Sequence, residues 1–236
     1  NGHAVRACYL YAAMALLANE TGDKELFLAC KRLYSDIVEK KMYITGGIGQ
    51  SSIGEAFTVA YDLPPETAYA ETCAAIGLMF FSENMLSLEN DSVYADTIER
   101  IMYNGMLSGL SADGKSFFYE NPLEINLRNH KKNVSADKQL RLPITQRREV
   151  FDCSCCPPNL NRVLSSMGSY IYRVGGKTLY IDQFIESEME EGGIKAVMMT
   201  DYPYDSKITL SVSGAQRAAV RIPYWCDKFN ISVPYR

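Results

Sequence analysis

No stretch of this 236-residue sequence is apolar for the roughly 20 residues that crossing a bilayer requires. A signal peptide is also missing, the chain opening at Asn1-Gly2-His3. Localisation is left open on that basis, with the cytoplasm slightly favoured. A basic surplus is missing too: 24 Lys and Arg stand against 28 Asp and Glu, a net charge of −4, and the pI is near 5.3. That balance argues against a nucleic-acid or membrane partner. Paired cysteines are missing as well. Seven is an odd count, and Cys153-Ser154-Cys155-Cys156 packs three of them together, which no secreted disulfide framework does. Nor is there a pair of Cys-x-x-Cys motifs, so a standard zinc ribbon does not fit.

What is present describes a soluble globular chain, 47% hydrophobic and 22% charged, long enough for one good-sized domain and part of a second. Helical periodicity dominates the first half. Ala4 to Asn19 ends at the turn signal Thr21-Gly22-Asp23, and Glu25 to Lys41 follows, so the two make a helical hairpin. Residues 44 to 66 are aperiodic and rich in Gly, Ser and Pro; a loop that long is functional or disordered. Further helices are expected from Thr67 to Ser87, from Ser92 to about Leu110, and from Pro157-Pro158 towards Tyr170, with a strand-like Phe117-Phe118-Tyr119 between. Residues 123 to 149, with Arg128, Lys131, Lys132, Arg141, Arg147 and Arg148, read as a solvated excursion. After Tyr172 the period changes to two, over Thr178–Ile181, Ile194–Val197, Ile208–Val212 and Ala218–Ile222, which predicts an antiparallel β-sandwich. The chain is therefore read as mainly α followed by β, with residues 1–172 helical and 173–236 the first part of a sandwich.

Sixteen tyrosines suit a sugar-binding cleft and equally an ordinary core. Cys8 and Cys30 fall in apolar helical patterns and read as small buried hydrophobes, while Cys226 has no evident partner. Three other elements carry chemistry. Cys153-Ser154-Cys155-Cys156-Pro157-Pro158-Asn159 places cysteines just before a helix start, where proline suits the first position. The positive end of a helix dipole favours thiolate there, and several thiolates together call for a cation, of which zinc is the usual one. Glu71-Thr72-Cys73 offers an oxygen and a sulfur, although positions i and i+2 of a regular helix face apart. Gly54-Glu55-Ala56 puts a carboxyl in the long loop, where burial would suit it to general-acid work. From these residues alone the cysteine cluster stands as structural zinc, catalytic zinc or thiolate, or free thiols.

Six segments in order give the chain a resemblance to the β-L-arabinofuranosidases of glycoside hydrolase family 127. They are Gly2-His3-Ala4-Val5-Arg6, the run from Met42 to Gly49, Glu55-Ala56-Phe57, Tyr69-Ala70-Glu71-Thr72-Cys73-Ala74, the run from Phe117 to Leu123, and Cys155-Cys156-Pro157-Pro158-Asn159. The resemblance spans about the first 170 residues. It implies an (α/α)6 barrel followed by a β-sandwich, with this chain starting inside the barrel, ending within the first sandwich and turning over weakly or not at all alone. It implies a retaining exo-glycosidase acting on terminal β-L-arabinofuranose, with Cys155 as nucleophile and Glu55 as acid/base. It implies Zn2+ held by Glu71, Cys73, Cys155 and Cys156, with His3 and Tyr119 touching the sugar and no metal role for Cys153. The implied partner is an arabinose-containing oligosaccharide or glycan, a homodimer being allowed. A non-catalytic protein stapled by zinc and a carbohydrate-binding module are the alternatives.

Overall fold

The computed structural model describes residues 2–130 and 145–233, so Lys131, Lys132 and Arg141 of the basic excursion lie outside the described residues. The chain divides into two compact units, residues 1–90 with 97–165, and residues 91–96 with 166–236.

In the first unit, α1 (Ala4–Thr21) and α2 (Lys24–Lys40) form the expected hairpin. Gly22 closes α1 in the left-handed region, and the Asp23 carboxylate accepts from the Glu25 and Leu26 amides at 3.0 Å, capping α2. The buried stripe of α1 is small: Ala4, Cys8, Ala12, Ala15 and Ala18. That stripe lets α1 lie close to α3 (Thr72–Leu88), and at the crossing a Cβ on Gly77 would sit 3.1 Å from the Cys8 Cβ. Helix α3 is buried almost all round, which marks a central helix. Its Phe81 is fully buried, worth roughly 1.5–3 kcal/mol. Cys8 and Cys30 are buried, as their apolar patterns required.

Helix α3 starts at Thr72, later than its apolar pattern indicates. Residues before it are held out of the helix by backbone bonds: Tyr69 and Ala70 donate to Gln50 and Gly49, and Thr72 donates to Tyr119. The run Phe117–Tyr119 makes isolated bridges, not a strand. Helix α4 (Ser92–Arg100) changes to a π turn over Ile101–Met106 and a tight turn over Leu107–Gly109. The widened turn accommodates the 42–50 loop, since a Cβ on Gly105 would lie 3.1 Å from the Thr45 carbonyl oxygen. That loop is ordered by its own bonds, with Gln50 buried and bridging the Lys41 carbonyl and the Thr58 amide. A short α5 (Leu127–His130) follows, and α6 (Cys156–Ser165) ends this unit.

Among the described residues, the second unit holds α7 (Gly168–Ile171) and six strands. Strands β1 (Tyr172–Gly175) and β2 (Thr178–Ile181) form a hairpin, with β6 (Arg217–Val220) joined parallel to β2. Strands β3 (Ser187–Glu191), β4 (Ile194–Thr200) and β5 (Ile208–Ser213) form an antiparallel sheet. The parallel pair departs from the all-antiparallel expectation. The long connection between β2 and β6, through the whole other sheet, allows it. Burial alternates along β4, and Leu179, Ile181, Ile194, Ala196 and Met198 lie in one core.

Residues 91–96 are tied to these sheets by a buried ion pair. Arg221 Nη1 lies 2.6 Å from Asp96 Oδ1, both almost fully buried, and Gln183 donates to the Ala95 carbonyl at 2.8 Å. Asp96→Ala removes the counter-charge of a buried guanidinium, and is expected to lower unfolding free energy by about 3–5 kcal/mol. A denaturant midpoint unchanged from wild type would disprove that. Among the described residues, no helix is long and apolar enough to cross a membrane.

Candidate metal and catalytic centre

Two helix starts converge in the first unit. Glu71 sits at the N-cap of α3 with extended backbone (φ −60, ψ 136), and Cys73 is the second helical residue. Because Glu71 is outside the helix, the facing-apart objection to an i, i+2 pair does not apply. Cys156 is the first residue of α6 and Cys155 immediately precedes it, so the cluster straddles the helix start instead of lying wholly before it. Pro157 and Pro158 occupy the first turn, where an N–H has no intrahelical partner to lose.

The backbone pairing of residues 69–72 with 117–121 places Tyr119 over this junction. Thr72 Oγ1 donates to the Phe118 carbonyl at 2.8 Å, and Asn121 Nδ2 to the Ala70 carbonyl at 2.9 Å. Tyr69, Cys73, Phe117, Tyr119 and Cys156 form one apolar cluster, with Phe151 and Cys155 packed on it. The sulfurs therefore face a low-dielectric wall, and Cys155 is the half-exposed one.

Glu71, Cys73, Cys155 and Cys156 offer ligand atoms all within 4.8 Å of one another. Cys73 Sγ lies 3.3 Å from Cys155 Sγ and 3.5 Å from Cys156 Sγ, and Cys155 Sγ lies 3.9 Å from Cys156 Sγ and 3.4 Å from Glu71 Oε1. A tetrahedral ion with 2.3 Å metal–sulfur bonds needs sulfur–sulfur edges of about 3.8 Å, so small shifts suffice. Glu71 Oε2 is buried without a hydrogen-bond partner, which a ligand bond would satisfy. Three thiols and one carboxyl are a donor set that fits zinc.

The charges here are coupled. Hydrogen bonds from Cys156, then Cys73, hold the Cys155 thiol far below its usual range, with further help from Tyr119 and Glu71. The same pairing pushes Cys73 and Cys156 above theirs. Glu71 is pushed up to about 8, first by burial, then by the charges of Cys155 and Glu55. Tyr119 and Tyr69 are raised, chiefly by burial, and stay protonated donors. Tyr119 Oη lies 3.4 Å from Cys155 Sγ.

Glu55 stands beside this cluster in the ordered loop. Its Oε2 lies 2.5 Å from His3 Nε2, and its Oε1 accepts from the Tyr69 hydroxyl at 2.9 Å. Tyr69 and Tyr119 meet edge to face with centroids 6.2 Å apart, so the carboxyl and the thiol are linked through two rings. Glu55 and Ala70 both have positive φ, 51 and 39. For side-chain-bearing residues that conformation costs about 1–3 kcal/mol each and concentrates at functional sites. Cys153 is exposed and outside the cluster, and Cys226 donates to the Lys228 carbonyl at 3.3 Å.

The structure thus gathers Glu71, Cys73, Cys155, Cys156 and Tyr119 in one group, and Glu55 with His3 in an adjoining one. Tyr69 and Asn159 join them although sequence reasoning gave neither a role. Both stood inside the quoted segments, Tyr69 heading Tyr69-Ala70-Glu71-Thr72-Cys73 and Asn159 ending Cys155-Cys156-Pro157-Pro158-Asn159. Adjacency to the chemistry-bearing residues was the available signal.

Residues 1–169 match a family model described as "Beta-L-arabinofuranosidase, GH127 catalytic domain". The chain is 37% identical over 235 residues to the non-reducing end β-L-arabinofuranosidase of Bifidobacterium longum subsp. longum, covering 95% of this chain and 35% of that protein. It resembles the crystal structure of a GH127 β-L-arabinofuranosidase from Geobacillus stearothermophilus T6 at TM-score 0.87 and 43% identity, over 96% of this chain and 36% of that one. A second solved GH127 β-arabinofuranosidase gives TM-score 0.82 and 38% identity, over 95% and 34% of the two chains. The chain spans about a third of the length of these relatives. With its clustered thiols and glutamates and a match over most of its length, the chain belongs to the GH127 β-L-arabinofuranosidase family.

Proposed function

We propose that this chain carries the reacting groups of a retaining exo-β-L-arabinofuranosidase, Cys155 as nucleophile and Glu55 as acid/base. The observation that supports it most is the Cys155 thiol, the most open of three clustered sulfurs, joined through the Tyr119 and Tyr69 rings to the Glu55 carboxyl, whose two oxygens are each held by a partner. Bound at Glu71, Cys73, Cys155 and Cys156, zinc would keep the three sulfurs together as thiolates by balancing their charge.

In the first half of the reaction the Cys155 sulfur forms a bond to the anomeric carbon as the bond to the leaving oxygen breaks. Glu55 gives its proton to that oxygen. In the second half Glu55 takes a proton from water, the water oxygen bonds to the anomeric carbon, and the carbon–sulfur bond breaks, returning the thiolate. Two inversions leave the β configuration intact. Tyr119 and His3 each contact a proposed reacting group, which supports the reading that they hydrogen-bond the sugar hydroxyls. The surrounding helices belong, in this reading, to an (α/α)6 barrel over residues 1–172, and residues 173–236 open a β-sandwich. The substrate is a terminal β-L-arabinofuranosyl unit of a glycan.

Elemental analysis of this chain, beside incubation of the complete enzyme that contains it with an aryl β-L-arabinofuranoside, tests this reading. One zinc per chain is expected, lost in a Glu71→Ala/Cys73→Ala variant, with β-configured arabinose as the first-formed product by NMR. Zinc retained without any hydrolysis by the complete enzyme would favour a purely structural staple, and α-configured product would exclude the double displacement.

A further inference from the structure

Helix α6 sends one more side chain to the cluster. Asn159 lies one turn beyond Cys155 and Cys156, and its Nδ2 donates to Cys73 Sγ on α3 at 3.1 Å. Its other end is held from α1, where the Tyr9 hydroxyl donates to Asn159 Oδ1 at 2.8 Å. An amide presents a donor at one end and an acceptor at the other. A hydroxyl donating to the oxygen therefore fixes the NH2 group towards the sulfur. Tyr9 is itself fixed, its ring edge-on to Phe80 with centroids 5.7 Å apart, while the Arg162 guanidinium covers Phe80 at 4.9 Å.

We infer that Asn159, oriented by Tyr9, is a positioning residue that marks Cys73 as a fixed metal ligand and leaves Cys155 as the sulfur that reacts. The inference rests on the zinc-centre reading above. Three thiolates on one cation are chemically equivalent until their surroundings differ. An N–H hydrogen bond draws charge from a sulfur and stabilises it as thiolate while lowering its nucleophilicity. Cys73 has that bond and is 1% exposed; Cys156 is 0% exposed and cannot reach a sugar. Cys155 is the most open of the three, and beside it, apart from the other sulfurs, stand the Tyr119 hydroxyl and the Glu71 carboxyl. A donor on the ligand least able to react thus separates holding from attacking. Partners of this kind that orient metal ligands change affinity by about 10–100-fold when removed.

The test replaces zinc with cobalt(II), whose thiolate-to-metal charge-transfer absorption reports the electron density on sulfur. Asn159→Leu keeps the volume and removes the donor; Tyr9→Phe keeps the donor and releases its orientation. Asn159→Leu is expected to move the charge-transfer band to lower energy and to weaken cobalt retention about 10–100-fold against a competing chelator. Tyr9→Phe is expected to move both readings the same way by less. Band energy and affinity at wild-type values in Asn159→Leu would overturn the inference while leaving the metal centre standing. If Asn159→Leu does not fold, an unshifted band in Tyr9→Phe overturns it equally. Wild-type protein that takes up no cobalt would remove the zinc-centre reading, and this inference with it.

Discussion

On the proposed mechanism, replacing Cys155 with alanine in the complete enzyme is expected to lower turnover of an aryl β-L-arabinofuranoside by about 10⁴-fold or more, the scale seen when a nucleophile is deleted from an assembled site. The acid/base then has no covalent intermediate to resolve, and the remaining groups only bind and polarise. Glu55→Gln is expected to behave differently, and the difference identifies the roles. Losing a general acid costs about 10²–10⁴-fold when the leaving oxygen needs a proton. A dinitrophenolate leaves unaided, so its release by Glu55→Gln is expected to stay fast in the first turnover and then stall, because no base activates the water. Azide, which needs no base, is expected to restore steady turnover of that substrate. Equal rates for wild type and Cys155→Ala would end the thiolate mechanism. Equal losses for alkyl and dinitrophenyl substrates in Glu55→Gln would end the acid assignment.

Zinc affinity is expected to fall by about 10⁶-fold between pH 8 and pH 6, three protons being exchanged for each ion bound across that range. The direction follows from the cluster. Glu71 holds its proton up to about 8, under burial and the charges of Cys155 and Glu55. Cys73 and Cys156 are raised by their hydrogen bonds with neighbouring thiols, so both are protonated there. Cys155 is depressed and already a thiolate, so it releases none. Each raised group binds a proton that the metal must displace. Affinity therefore rises with pH by about tenfold per unit for each group, with the slope dropping from three to two above about pH 8, where Glu71 ionises by itself. Because the ion binds the folded chain, the stability it adds is present at high pH and lost as pH falls. Competition with a chromophoric chelator from pH 6 to pH 9 measures the slope, and a value near zero would mean the sulfurs are not the ligands.

Local chemistry made much of the fold legible in advance. The α1–α2 hairpin follows from Gly22 and the Asp23 cap, which act within a few residues of themselves. Strands β2, β4 and β5 follow from alternation along each strand, and β6 from a short apolar run. Strand β3 escaped because Ser187–Glu191 carries three glutamates; it is an edge strand, where charge blocks further pairing and hides the apolar period. Strand β1 escaped because Gly175-Gly176, the end of the strand and the first residue of its hairpin turn, reads as an interruption between domains. The late start of α3 and the π turn after α4 were invisible for a different cause. Both answer to segments far along the chain, the 117–121 run in one case and the 42–50 loop in the other.

The same division runs through the site. Residue type supplied thiols and carboxyls able to bind a metal or move protons, and the family resemblance singled out Cys73, Cys155, Cys156, Glu55 and Glu71 among them. Only the tertiary structure decided which sulfur is open, which oxygen faces His3, and that Tyr9 orients an amide 150 positions away onto Cys73. Such contacts come from the packing of α1 on α3 and α6, through the stripe of alanines and the gap at Gly77. Packing is set by volumes brought together over the whole chain, and no local period or turn signal records it.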